Sequence, residues 1–194
     1  MVGKMDLNFY ENEQNVDHYT KFTPAHDGAL LIDTFSENLP ENSTVLELGM
    51  GPGKDFKVLS ERYSVTGSDL SKLFLQRYRE KDSSAKLLHL DARTLETDQT
   101  FDAIFSNKAL IHLSPEELQQ SFDRQHEVLN AGGLIMHSFW HGEGSGEFGD
   151  LTLVRHNETD LADMLDGAFD ILKLEQHAKM AEGDSIFVLA RKKG

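Results

Sequence analysis

The 194-residue sequence has no cysteine, so secretion with a disulfide framework has no support. Basic residues are scarce as well. Nineteen Lys and Arg stand against 33 Asp and Glu, and a net charge of −14 repels phosphate backbones and anionic membranes at long range. Neither nucleic acid nor a membrane is therefore expected as a partner. No apolar run approaches the roughly 18 residues that span a bilayer. The opening Met1-Val2-Gly3-Lys4-Met5-Asp6 leads into polar sequence with no signal-peptide pattern, so the cytoplasm is the expected location. Proline occurs four times, each at a plausible element boundary, and no repeat or low-complexity tract interrupts the chain. The length suits one domain over residues 1–194, with a core large enough to need no metal or disulfide.

What is present is an alternation of strand and helix patterns. Apolar runs at 44–48, 64–68, 86–90, 101–106 and 133–139 predict strands, and helical periodicity fills 54–62, 71–80 and 115–129. The last of these begins Ser114-Pro115-Glu116-Glu117, a capping box with proline at the first helical position, and carries Leu118, Phe122 and Leu129 on one face. An opening helix over 24–38 is expected behind a Thr23 cap, and a short helix over 158–165. Two alternating segments, 168–177 and 184–191, predict an antiparallel hairpin at one sheet edge. Strands alternating with helices imply a parallel sheet with right-handed crossovers. The expected fold is α/β, a doubly wound sheet of seven strands. Residues 1–40 form a helical lid or anchor on a core of residues 41–194.

Between the first predicted strand and its helix the chain reads Val45-Leu46-Glu47-Leu48-Gly49-Met50-Gly51-Pro52-Gly53. Glycines at every second position let a ligand press against backbone at the carboxyl end of the strand, where such sheets bind ligands. The alternative is a tight turn and no more. A dinucleotide fingerprint needs its third glycine at position 54, which is lysine, and Lys54-Asp55 excludes a phosphate loop. The stretch Glu47 to Gly53 instead resembles the [DE]-x-G-x-G-x-G motif of class I S-adenosylmethionine-dependent methyltransferases, small bacterial-type enzymes of Rossmann-like fold among them. Glu47 suits a ligand with an ammonium group and a sulfonium centre.

The resemblance continues along the strands. It implies that Asp69, after Val65-Thr66-Gly67-Ser68, accepts hydrogen bonds from the ribose hydroxyls, the alternative being a helix cap. It implies that Asp91 receives the adenine amino group beside Ala92, the alternative being a turn residue. Phe101-Asp102-Ala103-Ile104-Phe105-Ser106 resembles the family segment F-D-x-[IV]-x-[SC], which puts Ser106 and Asn107 near the sulfonium and His112 on the acceptor side. Ala131-Gly132-Gly133 resembles the family's P-G-G turn. The implied cofactor set is Glu47, Gly49, Met50, Gly51, Gly53, Asp69, Leu70, Asp91, Ala92, Ser106 and Asn107. The implied cofactor is S-adenosylmethionine, released as S-adenosylhomocysteine, with no metal.

Methyl transfer from a sulfonium is an in-line displacement that needs alignment and exclusion of water, with a base for some acceptors. His112 is the candidate catalytic residue. His137 lies inside a strand and reads as structural. Tyr10, Tyr19, His112, Trp140 and His141 form the candidate acceptor site. Tyr10 and Tyr19 belong to an aromatic N-terminal segment that is either a lid or a packing anchor. Trp140 and His141 open a glycine-rich stretch read as a mobile loop at the cleft mouth. The expected acceptor is a small molecule and the expected state a monomer or homodimer. A nicotinamide-dependent oxidoreductase and a non-catalytic binder of the same cofactor remain as alternatives.

Overall fold

The computed structural model describes residues 9–22, 28–148 and 151–194. After a 3-10 turn at Phe9–Glu11 come helices α1 (Glu13–Phe22) and α2 (Ala29–Ser36). Strand and helix then alternate through β1 (Thr44–Leu48), α3 (Lys54–Leu59), β2 (Ser64–Asp69), α4 (Lys72–Lys81) and β3 (Lys86–His89). β4 (Phe101–Asn107) runs into a 3-10 turn at Leu110–His112, followed by α5 (Pro115–Val128) and β5 (Leu129–His141). The chain ends with β6 (Ser145–Phe148), β7 (Leu151–His156), α6 (Glu158–Leu165), β8 (Phe169–His177) and β9 (Ser185–Lys192).

β3, β2, β1, β4 and β5 lie side by side in that order and run parallel. β9 joins β5 antiparallel and β8 pairs with β9, the terminal hairpin expected from the sequence. Glu47 is aligned with Gly67 on one side and Phe105 on the other, so the carboxyl ends of β1, β2 and β4 open at one level. Side chains alternate between two cores. Leu46, Leu48, Ile104, Ile135 and Ile186 pack with Phe122 of α5 and Leu161 of α6. Val45, Phe105, Met136 and Phe187 pack with Phe35 of α2 and Phe56 of α3.

The described sheet has nine strands where seven were expected. The additional pair is β6–β7, of which β6 lies in the stretch read as a mobile loop and β7 follows it. β4 stops opposite Ser138, and β7 takes the place beside β5 that β4 has left, pairing Trp140 with Arg155 and His141 with His156. Glycine makes this possible. A Cβ on Gly142 or Gly146 would meet the Arg155 side chain at 3.2 or 3.3 Å. β5 also starts earlier than expected, at Leu129, with Ala131-Gly132-Gly133 absorbed in a bulge opposite Phe101–Ala103. α2 begins at Ala29 behind Gly28, and the expected Thr23 cap lies outside the described residues. The capping box at Ser114 and Glu117 forms as expected.

Candidate functional site

The cleft begins where β1 ends, and its three glycines are there for two different reasons. Gly49, Gly51 and Gly53 all have positive φ, at 65°, 50° and 79°. A Cβ on Gly49 would stand 2.4 Å from the Ala109 Cβ, and one on Gly53 would stand 2.2 Å from the Tyr78 ring. Those two are packing glycines. At Gly51 the nearest atom is a Tyr19 ring carbon at 3.7 Å, so its bare backbone faces the cleft. Met50 is buried with its sulfur against Gly67, and its N–H donates to the Ser68 carbonyl at 2.9 Å.

Two acids stand behind this turn. Asp69, at the end of β2, accepts the Gly51 N–H on Oδ2 and the Ser71 N–H on Oδ1, each at 2.8 Å. Burial pushes its carboxyl up to about 6 despite those bonds, and Glu11 adds to the rise. The capping alternative for Asp69 falls to Ser71, whose side chain accepts the Phe74 N–H. Glu47 is 3% exposed, and its Oε2 has no hydrogen-bond partner. Burial, then the nearby Asp55 and Asp69, hold its carboxyl well above the ordinary range.

On the next strand, Asp91 and Ala92 line the cleft beside Leu70 and Leu90. Asp91 is at the same time a turn residue, since it accepts the Arg93 N–H at 2.9 Å and is gripped by the Arg93 guanidinium, which also reaches Glu117. At the end of β4, alternation separates two neighbours. Asn107 lines the cleft, donating to Asp55 at 2.9 Å and accepting from Ser138 at 2.8 Å. Ser106, expected beside the sulfonium, turns to the opposite core, where it is fully buried against His137.

The far wall comes from the N-terminal segment. Tyr10 and Tyr19 pack edge to face, 5.5 Å between centroids, and both rings lean on Phe74 of α4 at 5.8 and 5.9 Å. Ser71 Oγ donates to the Tyr10 carbonyl at 2.6 Å, Lys72 N–H donates to Glu11 at 2.7 Å, and Arg77 pairs with Asp17 at 2.6 Å. The segment therefore sits on α4, where the anchor alternative had it pack the first helix on the sheet. The Tyr10 ring also approaches His112, centroid to centroid 6.2 Å.

His112 stands in the 3-10 turn after β4. Its Nδ1 lies 3.0 Å from the Thr152 carbonyl of β7. A carbonyl only accepts, so the proton sits on Nδ1 and Nε2 keeps a lone pair. Burial lowers the ring's basicity, which leaves it neutral at pH 7. Trp140 and His141 are drawn away from the cleft by the β5–β7 pairing. Trp140 carries the Lys108 ammonium 4.0 Å over its ring, and His141 bonds the Gly183 carbonyl at 3.0 Å and Glu158 at 3.3 Å.

The sequence reading did not single out Phe74, Lys108, Ala109 or Leu113 for the cleft wall. Phe74 reads as an ordinary apolar helix position. Lys108 takes φ of 57°, which no sequence signal announces; its ammonium donates to the carbonyl of buried Phe139 and to the hydroxyl of buried Ser185.

The comparisons bear on this geometry. The methyltransferase-domain family model matches residues 45–133, from β1 into β5. Trans-aconitate 2-methyltransferase of Variovorax paradoxus is 34% identical over 101 residues, which is 50% of this chain and 38% of that protein. Phosphatidylethanolamine N-methyltransferase of Cereibacter sphaeroides is 33% identical over 99 residues, 47% of this chain and 48% of that protein. The chain thus matches less than half the length of each. The Burkholderia thailandensis 1,6-didemethyltoxoflavin-N1-methyltransferase, solved with S-adenosylhomocysteine, superimposes with a TM-score of 0.76 at 20% identity, covering 92% of this chain and 83% of that one. The nicotinamide alternative finds no support in these matches. Residues 45–133 thus match the methyltransferase-domain family model, and the chain shares the fold of that S-adenosylhomocysteine-bound methyltransferase.

Proposed function

We propose that the protein transfers the methyl group of S-adenosylmethionine to a small neutral or amine acceptor, with His112 receiving the acceptor's proton. The observation that carries this reading is the convergence on one cleft of an open glycine backbone at Gly51, a carboxylate at Asp69 and an unpaired imidazole nitrogen on His112.

The residues present fit the cofactor. Glu47 is a buried acid with an unpartnered oxygen, two residues ahead of a glycine turn that a cationic amino-acid end would approach. Asp69 accepts backbone N–H groups on both oxygens and, as a carboxylate with about four lone-pair sites, keeps capacity for a ribose hydroxyl. Gly49, Met50, Gly51 and Gly53 shape the turn, Leu70, Asp91 and Ala92 flank the adenosine end, and Asn107 stands where the methyl would be presented. When bound, the cofactor supplies an electrophilic methyl on a good leaving group. The chain's part is to align the acceptor, exclude water with Tyr10 and Tyr19, and take a proton at His112 Nε2.

The acceptor class follows from charge. Asp69 and Asp91 are the acids that line the cleft, with Glu11 nearby and Asp91 paired to Arg93, and the Lys108 ammonium is engaged by the Phe139 carbonyl and Ser185. A polyanionic acceptor meets repulsion there, whereas an amine or a neutral hydroxyl compound does not. The test is S-adenosylhomocysteine release from purified protein with parallel panels of amines, phenols and di- or tricarboxylates. Turnover confined to the carboxylates would refute the acceptor class, and no binding of S-adenosylhomocysteine would refute the cofactor.

A further inference from the structure

Beneath the cleft, on the side away from the acids, runs a chain of buried polar groups that the reaction does not use. Ser106 Oγ lies 2.8 Å from His137 Nδ1, and His137 Nε2 lies 2.7 Å from Gln125 Oε1. Gln125 Nε2 lies 3.0 Å from Ser121 Oγ, which in turn lies 2.6 Å from the Ala92 carbonyl. The four side-chain members are fully buried. Two of them, Ser121 and Gln125, occupy the inward stripe of α5 with Leu118, Phe122 and Val128, where apolar residues would be expected.

The direction of this chain is set from one end. The Ala92 carbonyl can only accept, so Ser121 donates to it. Ser121 must then accept from the Gln125 amide N–H, which turns the Gln125 oxygen to His137. His137 is therefore protonated on Nε2, and its Nδ1 accepts from Ser106. The opposite order would leave the Ala92 carbonyl facing a lone pair at 2.6 Å. α5 holds the same loop at two further points, with Arg124 donating to the Thr94 and Thr97 carbonyls at 3.1 Å and Glu117 paired with Arg93.

We propose that His137, Gln125 and Ser121 are positioning residues, a one-way hydrogen-bond chain that fixes Ala92 in the cofactor wall and locks His137 as its Nε2–H tautomer. This rests on the cofactor reading above for its consequence and on geometry alone for the tautomer. The two parts fail separately. Long-range nitrogen–proton spectra of the 15N-labelled, ligand-free protein, with His137 assigned by its loss in His137→Gln, are expected to show one Nε2–H species. Ser121→Ala is expected to mix the tautomers and weaken S-adenosylhomocysteine binding about fivefold by calorimetry, the worth of one buried hydrogen bond. Ser121→Thr, which keeps the hydroxyl, is expected to restore both. Gln125→Met, similar in volume, makes the same break one link earlier should Ser121→Ala not fold. An Nδ1–H tautomer in the wild type overturns the proposal. So does cofactor affinity within twofold of wild type in a folded chain-breaking variant. Absence of binding by the wild type itself would refute the cofactor reading and leave the tautomer result standing as the measure of the chain.

Discussion

The proposed ribose contact at Asp69 would tie cofactor binding to pH. The Asp69 carboxyl, ordinarily near 3.8, is pushed up to about 6 because the buried carboxylate loses its water, and the backbone N–H groups of Ser71, Gly51 and Leu70 recover only part of the loss. If ribose hydroxyls donate to it, binding favours the ionised form. At pH 5.0 a group with a pKa of 6 is ionised in about one copy in eleven, and at pH 7.0 in about ten of eleven. S-adenosylhomocysteine should therefore bind about tenfold more weakly at pH 5.0 than at pH 7.0. The ligand-free protein should move the other way. Because the folded pKa is raised, the folded state keeps this proton while the unfolded state loses it. Stability falls as pH rises from 3.8 to 6, by about 3 kcal/mol for this group. Glu47, also raised by burial, acts with the same sign, while Glu11 contributes to the Asp69 shift and Tyr10 feels the Asp69 charge. Calorimetric titration across pH 5.0–7.0 separates them, since Asp69→Asn should remove the Asp69 step and leave any Glu47 step. Wild-type affinity that is flat over this range, or an Asp69→Asn variant with an unchanged slope, would refute the reasoning.

Three further outcomes follow from the cleft. Gly51→Ala, with 3.7 Å of clearance, should cost about 1 kcal/mol of stability for its positive φ yet weaken S-adenosylhomocysteine at least tenfold; Gly53→Ala, driven into the Tyr78 ring, should cost at least about 2 kcal/mol. Thermal melts and calorimetry on the pair read the contrast. His112→Ala should leave S-adenosylhomocysteine affinity within about twofold and lower turnover on an identified acceptor about 10²-fold or more, as expected for a lost general base. Ser114→Ala should lower stability by about 1 kcal/mol through the lost cap of α5, with no effect on ligand affinity, by denaturant titration.

The half of the cleft that the proposed cofactor site occupies was legible as a place because its residues are tied to punctuation that a sequence displays. Glycines at 49, 51 and 53 and acids at 69 and 91 each follow a strand, and the parallel register brings those strand ends to one level. The glycine pattern did not reveal that Gly51 alone of the three has room for a Cβ, since that depends on where Ala109 and Tyr78 pack. Ser106 was misplaced although strand alternation could have separated it from Asn107, because neighbours on a strand face opposite layers. The β6–β7 hairpin was hidden by its own composition. The glycines from 142 onward read as a loop, whereas Gly146 lies in β6, which is held by β7 on the edge of β5 that β4 leaves open, a contact between residues far apart in sequence. Trp140 and His141 followed that strand away from the cleft. The Ser121 and Gln125 interruptions of an apolar helix stripe were visible, but their meaning required His137 and Ala92 to be placed around them.

The hairpin β6–β7 touches the cleft through a single atom of consequence, the Thr152 carbonyl that decides which nitrogen of His112 holds the proton. None of the described cleft-lining residues belongs to the hairpin. On the proposed reading, cofactor capture and proton acceptance are separable parts for protein engineering. Substitutions in β7 around Thr152 would act on His112 while Gly51, Asp69 and Asp91 keep their partners, so a library confined to that strand would search acceptor chemistry at little risk to the cofactor.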